Sequence, residues 1–394
     1  MSSCNEKNSF SSANTQTEDV KVFDRDKTIG YFKRCLEFLP KPYESSDTHR
    51  MTLAFYSLSG LDLLGVLETE FTQERINNWI DWIYAQQILP DENNPELNER
   101  ICGFRGSPFS GLPYNPNGCR ASRLPFDASN LAMTYTALTS LLILGDDLSR
   151  VDKSAIINAM KYLQKDDGSF TQTYQGMESD MRFVYCACAI SYMLNDFSGI
   201  NIDKVVQYIK ESQSYDYGIG QGPGLESHGG STFCAIASLY LLNKLDEGLL
   251  SKDKTIFWLI SRQESGFQGR ANKPPDTCYS FWIGASLMVC FSYLLIIVYI
   301  IPFLCLFIVN YSYYKLKILD SFEFIDYDQN YNFLMTTRSF GGFSKWPGSY
   351  PDVMHTYMGV AGLSLMEESK KLDPALNISL KARKNLLKCV FKSE

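Results

Sequence analysis

The chain has 394 residues and a net charge of −7, and its length is enough to bury one large core or two ordinary ones. Its basic residues form no clustered stripe with interleaved aromatic side chains, which excludes a nucleic-acid-binding protein that relies on neutralising phosphates. The eleven cysteines are odd in number and follow no framework of spacings. This pattern predicts reduced thiols in the cytoplasm rather than disulfides.

The chain begins with a polar segment. Residues 1–20 consist mostly of Ser, Asn, Thr, Glu and Gln, a composition that cannot form a packed core and predicts a disordered tail. The segment lacks the apolar stretch of a secretory signal peptide, so we expect none there.

A glycine-rich turn recurs along the rest of the chain, with intervals of 50 and 48 residues between its middle copies. The stretches between turns are apolar and lack the alternation of a strand. A period near fifty predicts pairs of helices repeated in series, and hence an all-α fold whose helix pairs close into a barrel. The turns lie at residues 103–106, 168–170, 218–220, 266–269 and 341–343.

One interval breaks this period, because 75 residues separate Gly266 from Gly341. The excess coincides with the uncharged apolar segment 288–314, and removing its 27 residues restores a spacing of 48. We therefore expect one domain made of residues 21–287 and 315–380, with an insertion such as translated intron sequence between them. The alternative is a membrane span, for which the segment is long enough.

Two stretches of the second half carry residues that could bind a metal. Asp276 and Cys278 follow Pro274 and Pro275, and His355 lies further along the chain. The prolines favour a non-helical approach to a helix start, which lets both side chains reach one point. A carboxylate, a thiolate and an imidazole form a three-ligand set suited to zinc, with the fourth position open for a substrate. This set predicts one catalytic zinc ion per chain.

The chain closely resembles the β subunits of protein prenyltransferases. The resemblance is carried by these residues and by five further stretches, which occur in the same order along the chain. The resemblance extends from about Phe32 to Glu368 and implies an (α/α)6 toroid, the fold shared with terpenoid cyclases, in which the inner helices line a central funnel. The five stretches are residues 52–55, 102–106, 144–150, 180–186 and 226–234.

Within the family, the resemblance is greatest to the type I geranylgeranyltransferases. It implies a catalytic subunit that transfers a C20 group from geranylgeranyl diphosphate to the cysteine of a C-terminal CaaX motif, on small GTPases and similar proteins. It also implies a heterodimer with a prenyltransferase α subunit. Two alternatives stay open: the β subunit of a Rab geranylgeranyltransferase, and a non-catalytic helical scaffold with a structural zinc.

The resemblance also implies residue roles in donor binding. Five side chains that can donate hydrogen bonds to the diphosphate match the family's set, and three aromatic side chains match the wall that holds the prenyl group. The diphosphate set consists of Arg182, His228, Arg270, Lys273 and Tyr279, and the wall consists of Tyr185, Phe233 and Trp282.

Two further positions distinguish members of the family. Where farnesyltransferase has an Asp that holds Mg²⁺, this chain has Lys345, whose ammonium can neutralise diphosphate charge as a catalytic group without that ion. We therefore expect no requirement for Mg²⁺. Where farnesyltransferase has a Trp, this chain has Thr52, and the smaller side chain leaves room for another isoprene unit.

Overall fold

The computed structural model describes residues 22–121, 127–300, 325–367 and 371–391, and it does not describe the side chains of residues 110 and 291–300. The tail predicted for residues 1–20 lies outside the described part, as do residues 301–314 of the predicted insertion. The bounds of the domain stay a prediction.

The described part is mostly helical. The helices are α1 (Arg25–Glu37), α2 (Arg50–Leu63), α3 (Leu67–Glu70), α4 (Gln73–Tyr84), α5 (Pro95–Ile101), α6 (Leu131–Ile143), α7 (Lys153–Lys161), α8 (Met181–Leu194), α9 (Ile202–Glu211), α10 (Gly229–Leu241), α11 (Leu245–Gly248), α12 (Lys252–Ile260), α13 (Tyr279–Ile300), α14 (Tyr327–Thr336), α15 (Val353–Met366) and α16 (Leu380–Cys389). Two 3₁₀ helices span Lys41–His49 and Pro108–Ser110.

Short strands join some of the helices. They are β1 (Gln87–Leu89), β2 (Gly103–Phe104), β3 (Cys119–Arg120), β4 (Arg338–Ser339), β5 (Gly342–Phe343), β6 (Leu372–Asp373) and β7 (Ile378–Ser379). In the first sheet β1 lies between β2, which is antiparallel to it, and β3, which is parallel. The pairs β4–β5 and β6–β7 are antiparallel.

Helices α2, α6, α8, α10, α13 and α15 form a closed inner ring, since each packs on the next and α15 packs on α2. Almost every residue of α6, α8 and α10 is buried, as expected for helices that are apolar all round. The outer helix α9, by contrast, buries only one face. This ring confirms the all-α toroid predicted from the sequence.

The recurring glycine turns lie between the outer and inner helices. Short antiparallel bridges such as Gln164–Phe170 and Gln213–Ile219 close them into hairpins. Gly168 adopts a φ of +90°, and a Cβ atom there would lie 2.1 Å from the carbonyl oxygen of Lys204. Only glycine avoids both the strained conformation and the clash at this position. At Gly218 and Gly266 the φ is not positive, and a Cβ atom would instead lie 2.5 Å from the Trp258 ring and 2.2 Å from the Phe333 ring.

One hydrogen bond recurs where the hairpins meet the inner helices, from a backbone N–H group of the hairpin to a threonine hydroxyl of the helix. The backbone N–H groups of Phe104, Ile219 and Phe343 each donate to a threonine hydroxyl at 3.0 Å, and the three threonines are Thr134, Thr232 and Thr356. Each threonine stands four residues after the N-cap of its helix. An outer helix returns the chain after α2, α6, α8 and α10, so the inner helices from α2 to α13 run in one direction and their N-termini share one end of the barrel.

A loop occupies the barrel interior. Residues 375–377, between β6 and β7, are buried. The phenol groups of Tyr185, Tyr135 and Tyr357 donate to the carbonyl oxygens of residues 375, 376 and 377 at 2.9, 2.8 and 2.9 Å, respectively. These tyrosines belong to three different inner helices, so the loop ties the ring together from within.

Helix α13 runs across the start of the segment predicted to be an insertion. Met288, Val289 and Cys290 are helical and buried in the core. Within the part of the chain whose side chains are described, no helix is long and apolar enough to cross a membrane.

Candidate active site

The three predicted metal ligands come together at the N-terminal ends of α13 and α15. Asp276 and Cys278 lie in the turn that leads into α13, and His355 lies in the first turn of α15. The carboxylate oxygen, thiol sulfur and imidazole nitrogen all lie within 4.8 Å of one another, and all three residues are buried. Both ligands on the turn precede the first helical residue, Tyr279, so helical spacing does not separate their side chains.

Backbone contacts hold this turn in place. The N–H group of Cys278 donates to the Asp276 carboxylate at 2.9 Å. The N–H group of Thr277 donates to the carbonyl oxygen of Lys345 at 3.0 Å, and the Thr277 hydroxyl donates to the carbonyl oxygen of Ser344 at 2.7 Å. The two ligands on the turn are therefore fixed against the loop that leads to the third.

A second carboxylate orients His355. Asp352, the N-cap of α15, accepts from the backbone N–H of His355 at 2.9 Å and lies 2.6 Å from its Nδ1. With Nδ1 bound to this carboxylate, Nε2 faces Asp276, whose nearer oxygen is 3.4 Å away. A histidine whose second nitrogen binds a carboxylate is the arrangement that fixes metal-binding imidazoles.

The pKa shifts of the three candidate ligands indicate a site that favours additional positive charge. Burial would lower the pKa of the His355 imidazole, but hydrogen bonds to Asp276 and Asp352 outweigh burial and raise it to about 9. For the Asp276 carboxyl, burial acts in the opposite direction and favours a higher pKa, but hydrogen bonds from His355 and Cys278 lower the pKa overall. Burial first and the Asp276 charge second raise the pKa of the Cys278 thiol. The proton on His355 thus links the imidazole to Asp276 and Asp352, and a metal cation can take the place of that proton.

These residues fit zinc. The donor set is mixed N, S and O, has an oriented imidazole and supplies three ligands, which is the number found in catalytic zinc sites. Among the described residues, no other group of three or more such side chains is close enough to hold a metal.

Two of the predicted diphosphate ligands, Arg182 and Arg270, are paired with carboxylates. Arg182, in the first turn of α8, binds both Asp180 and Glu178. Arg270, in the turn before α13, donates to Glu226 at 3.0 Å. Both guanidinium groups are about half exposed, so solvent and an incoming anion can compete for them.

The other predicted diphosphate ligands are His228, Tyr279 and Lys273. His228 is the N-cap of α10, and its Nε2 lies 2.9 Å from the Tyr279 hydroxyl. Lys273 is exposed in the turn before α13. These residues lie in or next to the N-terminal ends of inner helices, where the unpaired N–H groups and the helix dipoles favour anions.

The two positions predicted to distinguish family members lie at the same end of the barrel. The Lys345 ammonium is 3.8 Å from the second carboxylate oxygen of Asp276, and its side chain is 47 % exposed. Thr52, in the first turn of α2, is half-buried, and its hydroxyl donates to the Met133 sulfur of α6 at 3.4 Å. Thr52 therefore faces the neighbouring inner helix.

The predicted aromatic wall is part of a larger feature, which we call the aromatic belt. Each inner helix contributes one ring, and successive ring centroids lie 5.0 to 6.0 Å apart, the usual range for packed aromatic pairs. The belt consists of Tyr357, Phe55, Tyr135, Tyr185, Phe233 and Trp282. Five of its six rings are buried, and the sixth, that of Trp282, is partly exposed.

Sequence reasoning missed Asp352 and half of the belt. Asp352 stands three residues before His355 at a helix start, and that spacing to a candidate ligand is a signal that could have been used. Phe55, Tyr135 and Tyr357 could not be distinguished from ordinary core residues, because the ring contacts depend on closure of the barrel.

Comparison with known proteins identifies the class of this protein. A family model described as the prenyltransferase alpha-alpha toroid domain matches residues 23–378. The chain belongs to this family, and this membership confirms the resemblance found in the sequence.

Comparison with individual relatives shows which members of the family this chain is similar to in sequence. The chain is 38 % identical to the geranylgeranyl transferase type-1 subunit beta of Dictyostelium discoideum, over 91 % of this chain and 96 % of that protein. It is also 38 % identical to the Arabidopsis thaliana protein of the same name, over 93 % and 92 %. The farnesyltransferase subunit beta of Schizosaccharomyces pombe is 29 % identical over 68 % of this chain and 63 % of that protein.

A solved structure agrees. The protein geranylgeranyltransferase-I of Candida albicans complexed with GGPP superimposes with a TM-score of 0.75 and 26 % identity, covering 93 % of this chain and 98 % of that one. By sequence and by fold, the chain is similar to the β subunits of type I geranylgeranyltransferases over nearly its whole length.

Proposed function

We propose that this chain is the catalytic β subunit of a zinc-dependent type I protein geranylgeranyltransferase. It transfers the C20 group of geranylgeranyl diphosphate to the cysteine thiol of a C-terminal CaaX motif. The observation that carries the proposal is the buried trio Asp276, Cys278 and His355 beside a set of anion-binding side chains, in a chain that belongs to this family.

The acceptor is activated at the trio. Asp276, Cys278 and His355 hold one zinc ion per chain, and a bound zinc ion deprotonates a coordinated thiol, which is the nucleophilic form of cysteine. Asp352 keeps the His355 ring in the orientation in which Nε2 can bind the metal.

The donor's diphosphate binds at the neighbouring helix starts. Arg182, His228, Arg270, Lys273 and Tyr279 donate hydrogen bonds to it, and Lys345 adds a positive charge near the reacting atoms. As the bond between C1 and oxygen breaks, the electron pair moves to the diphosphate, and fixed donors bind this growing charge more tightly. Because Lys345 supplies a cation, the reaction does not require Mg²⁺.

The prenyl chain lies against the aromatic belt. The wall formed by Tyr185, Phe233 and Trp282 shields the apolar chain from water, and Thr52 leaves volume for the fourth isoprene unit. The partner is a prenyltransferase α subunit, the acceptors are small GTPases and similar proteins with a CaaX motif, and the heterodimer acts in the cytoplasm.

The test is a transfer assay with the chain co-expressed with a prenyltransferase α subunit. Geranylgeranyl and farnesyl diphosphate are each offered with a CaaX peptide ending in Leu, one ending in Ser, and a Rab protein with its escort. We expect C20 transfer to the Leu peptide to be fastest. Preference for the Rab protein would assign the chain to the Rab enzymes, and zinc binding without transfer to any acceptor would indicate a scaffold.

A further inference from the structure

A salt bridge between Arg105 and Asp127 is completely buried. The Nη1 atom of Arg105 donates to a carboxylate oxygen of Asp127 at 2.9 Å, and the two side chains are 1 % and 0 % exposed. Within the described part of the chain, Arg105 is the only arginine or lysine that is buried. Its Nε and Nη2 atoms are buried as well, and they have no hydrogen-bond partner among the described residues.

Stability alone does not explain this salt bridge. Moving two charges from water to the interior costs free energy, and their attraction offsets that cost only when further hydrogen bonds satisfy the remaining donors. Two donors of Arg105 lack such bonds within the described residues. A well-packed apolar pair of similar volume would be as stable or more stable, and the best-attested other use of a buried polar contact is to fix the register of packed elements.

On one side, the segment that carries Arg105 contacts the start of α2. The backbone N–H group of Met51, the residue before Thr52, donates to the carbonyl oxygen of Gly106 at 3.0 Å. A Cβ atom at Gly106 would lie 1.9 Å from the carbonyl oxygen of Thr48, so the two segments approach too closely to admit a side chain. The position of Arg105 is thereby coupled to the position of the first turn of α2.

On the other side, Asp127 leads into α6. Asn130, three residues later, is the N-cap of this helix, and its backbone N–H group donates to the carbonyl oxygen of Phe104 at 3.1 Å. The N–H group of Phe104 donates in turn to the Thr134 hydroxyl of α6 at 3.0 Å. The salt bridge therefore joins the segment that starts α6 to the strand β2 and, through Gly106, to the start of α2.

The gap between these two helix starts contains Thr52. Its hydroxyl lies 3.4 Å from the Met133 sulfur of α6, and a Cβ atom at Gly106 would lie 3.1 Å from the same sulfur. The space at Thr52 is thus bounded by the segments that the salt bridge joins. Since one methylene in an apolar pocket already changes selectivity, a small shift of either helix start would change which donor fits.

We propose that Arg105 and Asp127 are positioning residues for donor selection. Their salt bridge fixes the spacing between the starts of α2 and α6, and this spacing sets the volume at Thr52 that the last isoprene unit of the C20 donor occupies. Both side chains are buried, so they act through Thr52 and not by contact with the donor. The proposal rests on the proposed function for the identity of the donor.

Apolar replacement of the whole salt bridge separates positioning from stability. Arg105→Met combined with Asp127→Leu removes both charges and keeps the interior filled, so the thermal midpoint of the heterodimer should stay at or above that of the wild type. The ratio of kcat/KM for the C20 donor to that for the C15 donor should fall by about 10-fold, the order of effect of one methylene in an apolar pocket. The ratio falls because the space for the last isoprene unit is no longer held at one width.

Two further variants complete the test. Asp127→Leu alone leaves the buried Arg105 without this carboxylate, so its thermal midpoint should lie below that of the double variant. The matched control is the exposed salt bridge between Arg150 and Asp81, with 2.7 Å between its charged atoms. Arg150→Gln combined with Asp81→Asn should leave both the donor ratio and the thermal midpoint near the wild-type values, since exposed ion pairs contribute little.

The donor ratio is insensitive to a general loss of active enzyme, because both rates then fall alike. An unchanged ratio in the double variant would show that the salt bridge is only structural, and a thermal midpoint well below that of the wild type would show that it supplies stability. Either result overturns the proposal. A wild-type heterodimer that transfers neither donor would instead refute the proposed function, whereas a wild type that prefers the C20 donor leaves that function standing whatever the double variant shows.

Discussion

At the scale of residues, the site is organised by side chains that touch the candidate ligands. Asp352 binds both the backbone and the ring of His355, and Lys345 lies beside the second carboxylate oxygen of Asp276. Each of these contacts leads to a prediction about the effect of a substitution, which can be measured.

Removing the charge of Asp352 should weaken metal binding. Asp352→Asn keeps the helix cap but no longer holds the His355 ring by an ionised carboxylate, and loss of such a partner typically lowers metal affinity by about 10- to 100-fold. Competition with a zinc chelator measures the affinity. Asp152→Asn, at the N-cap of the outer helix α7, is the matched control, and equal affinities in both variants would contradict the role of Asp352.

Reversing the charge at Lys345 should create a dependence on Mg²⁺. Lys345→Asp removes the ammonium that we propose neutralises the diphosphate, and it offers a carboxylate for the ion instead. The rate of transfer is measured across Mg²⁺ concentrations. Lys153→Asp, at the start of α7, should leave the rate independent of Mg²⁺, and a wild-type enzyme that itself needs millimolar Mg²⁺ would show that the role of Lys345 is wrong.

Filling the space at Thr52 should change the donor preference. Thr52→Trp places a large ring between α2 and α6, so we expect the ratio of C20 to C15 transfer to fall by about 10-fold or more, as losses of pocket volume do. Competition between the two donors gives the ratio. Ser154→Trp, on the exposed face of α7, should leave it unchanged. An unchanged ratio in Thr52→Trp would place the length determinant elsewhere.

At the scale of elements, the inner helices are tied to one another by the loop at residues 375–377. Its carbonyl groups are buried, and a buried carbonyl that loses its donor costs stability. The hydroxyl of Tyr357 lies 2.9 Å from the carbonyl oxygen of Asn377 and 2.8 Å from its side-chain oxygen.

Tyr357→Phe should therefore lower the free energy of unfolding by about 1 to 3 kcal/mol, measured by urea denaturation of the heterodimer. Tyr215→Phe is the matched control, because Tyr215 is 94 % exposed and its hydroxyl should contribute little. Equal stabilities of the two variants would mean that the loop is held by apolar packing alone.

At the scale of the whole molecule, we propose that the segment 288–314 is an insertion that the toroid does not require. Deleting it restores the helix period, so we expect a higher soluble yield and retained transfer activity. Fractionation and the transfer assay compare the deletion with the full chain. Membrane residence of a full-length form that retains activity would contradict the insertion and support an anchor.

The sequence predicted this architecture because its signals are local and repeated. The glycine turns mark positions where a side chain would clash or strain the backbone, and their period predicts helix pairs. The grouping of Asp276, Cys278 and His355 could be predicted from residue chemistry and from the prolines before Asp276. The pairing of Arg270 with Glu226 and the contacts of Tyr135, Tyr185 and Tyr357 with residues 375–377 could not, since they join positions far apart in the chain and exist only after the ring closes.

The central claim is that the zinc trio activates a CaaX thiol for C20 transfer. The most direct measurement is titration of the zinc-depleted heterodimer with Zn²⁺ in the presence of geranylgeranyl diphosphate and a Leu-terminated CaaX peptide, with the product analysed by mass spectrometry. We predict that activity rises to a maximum at one zinc per heterodimer and that the peptide cysteine gains one C20 group. Cys278→Ala should stay inactive, whereas Cys188→Ala, at a buried thiol in α8, should follow the wild type. Full-rate transfer without zinc, or by Cys278→Ala, would contradict the account.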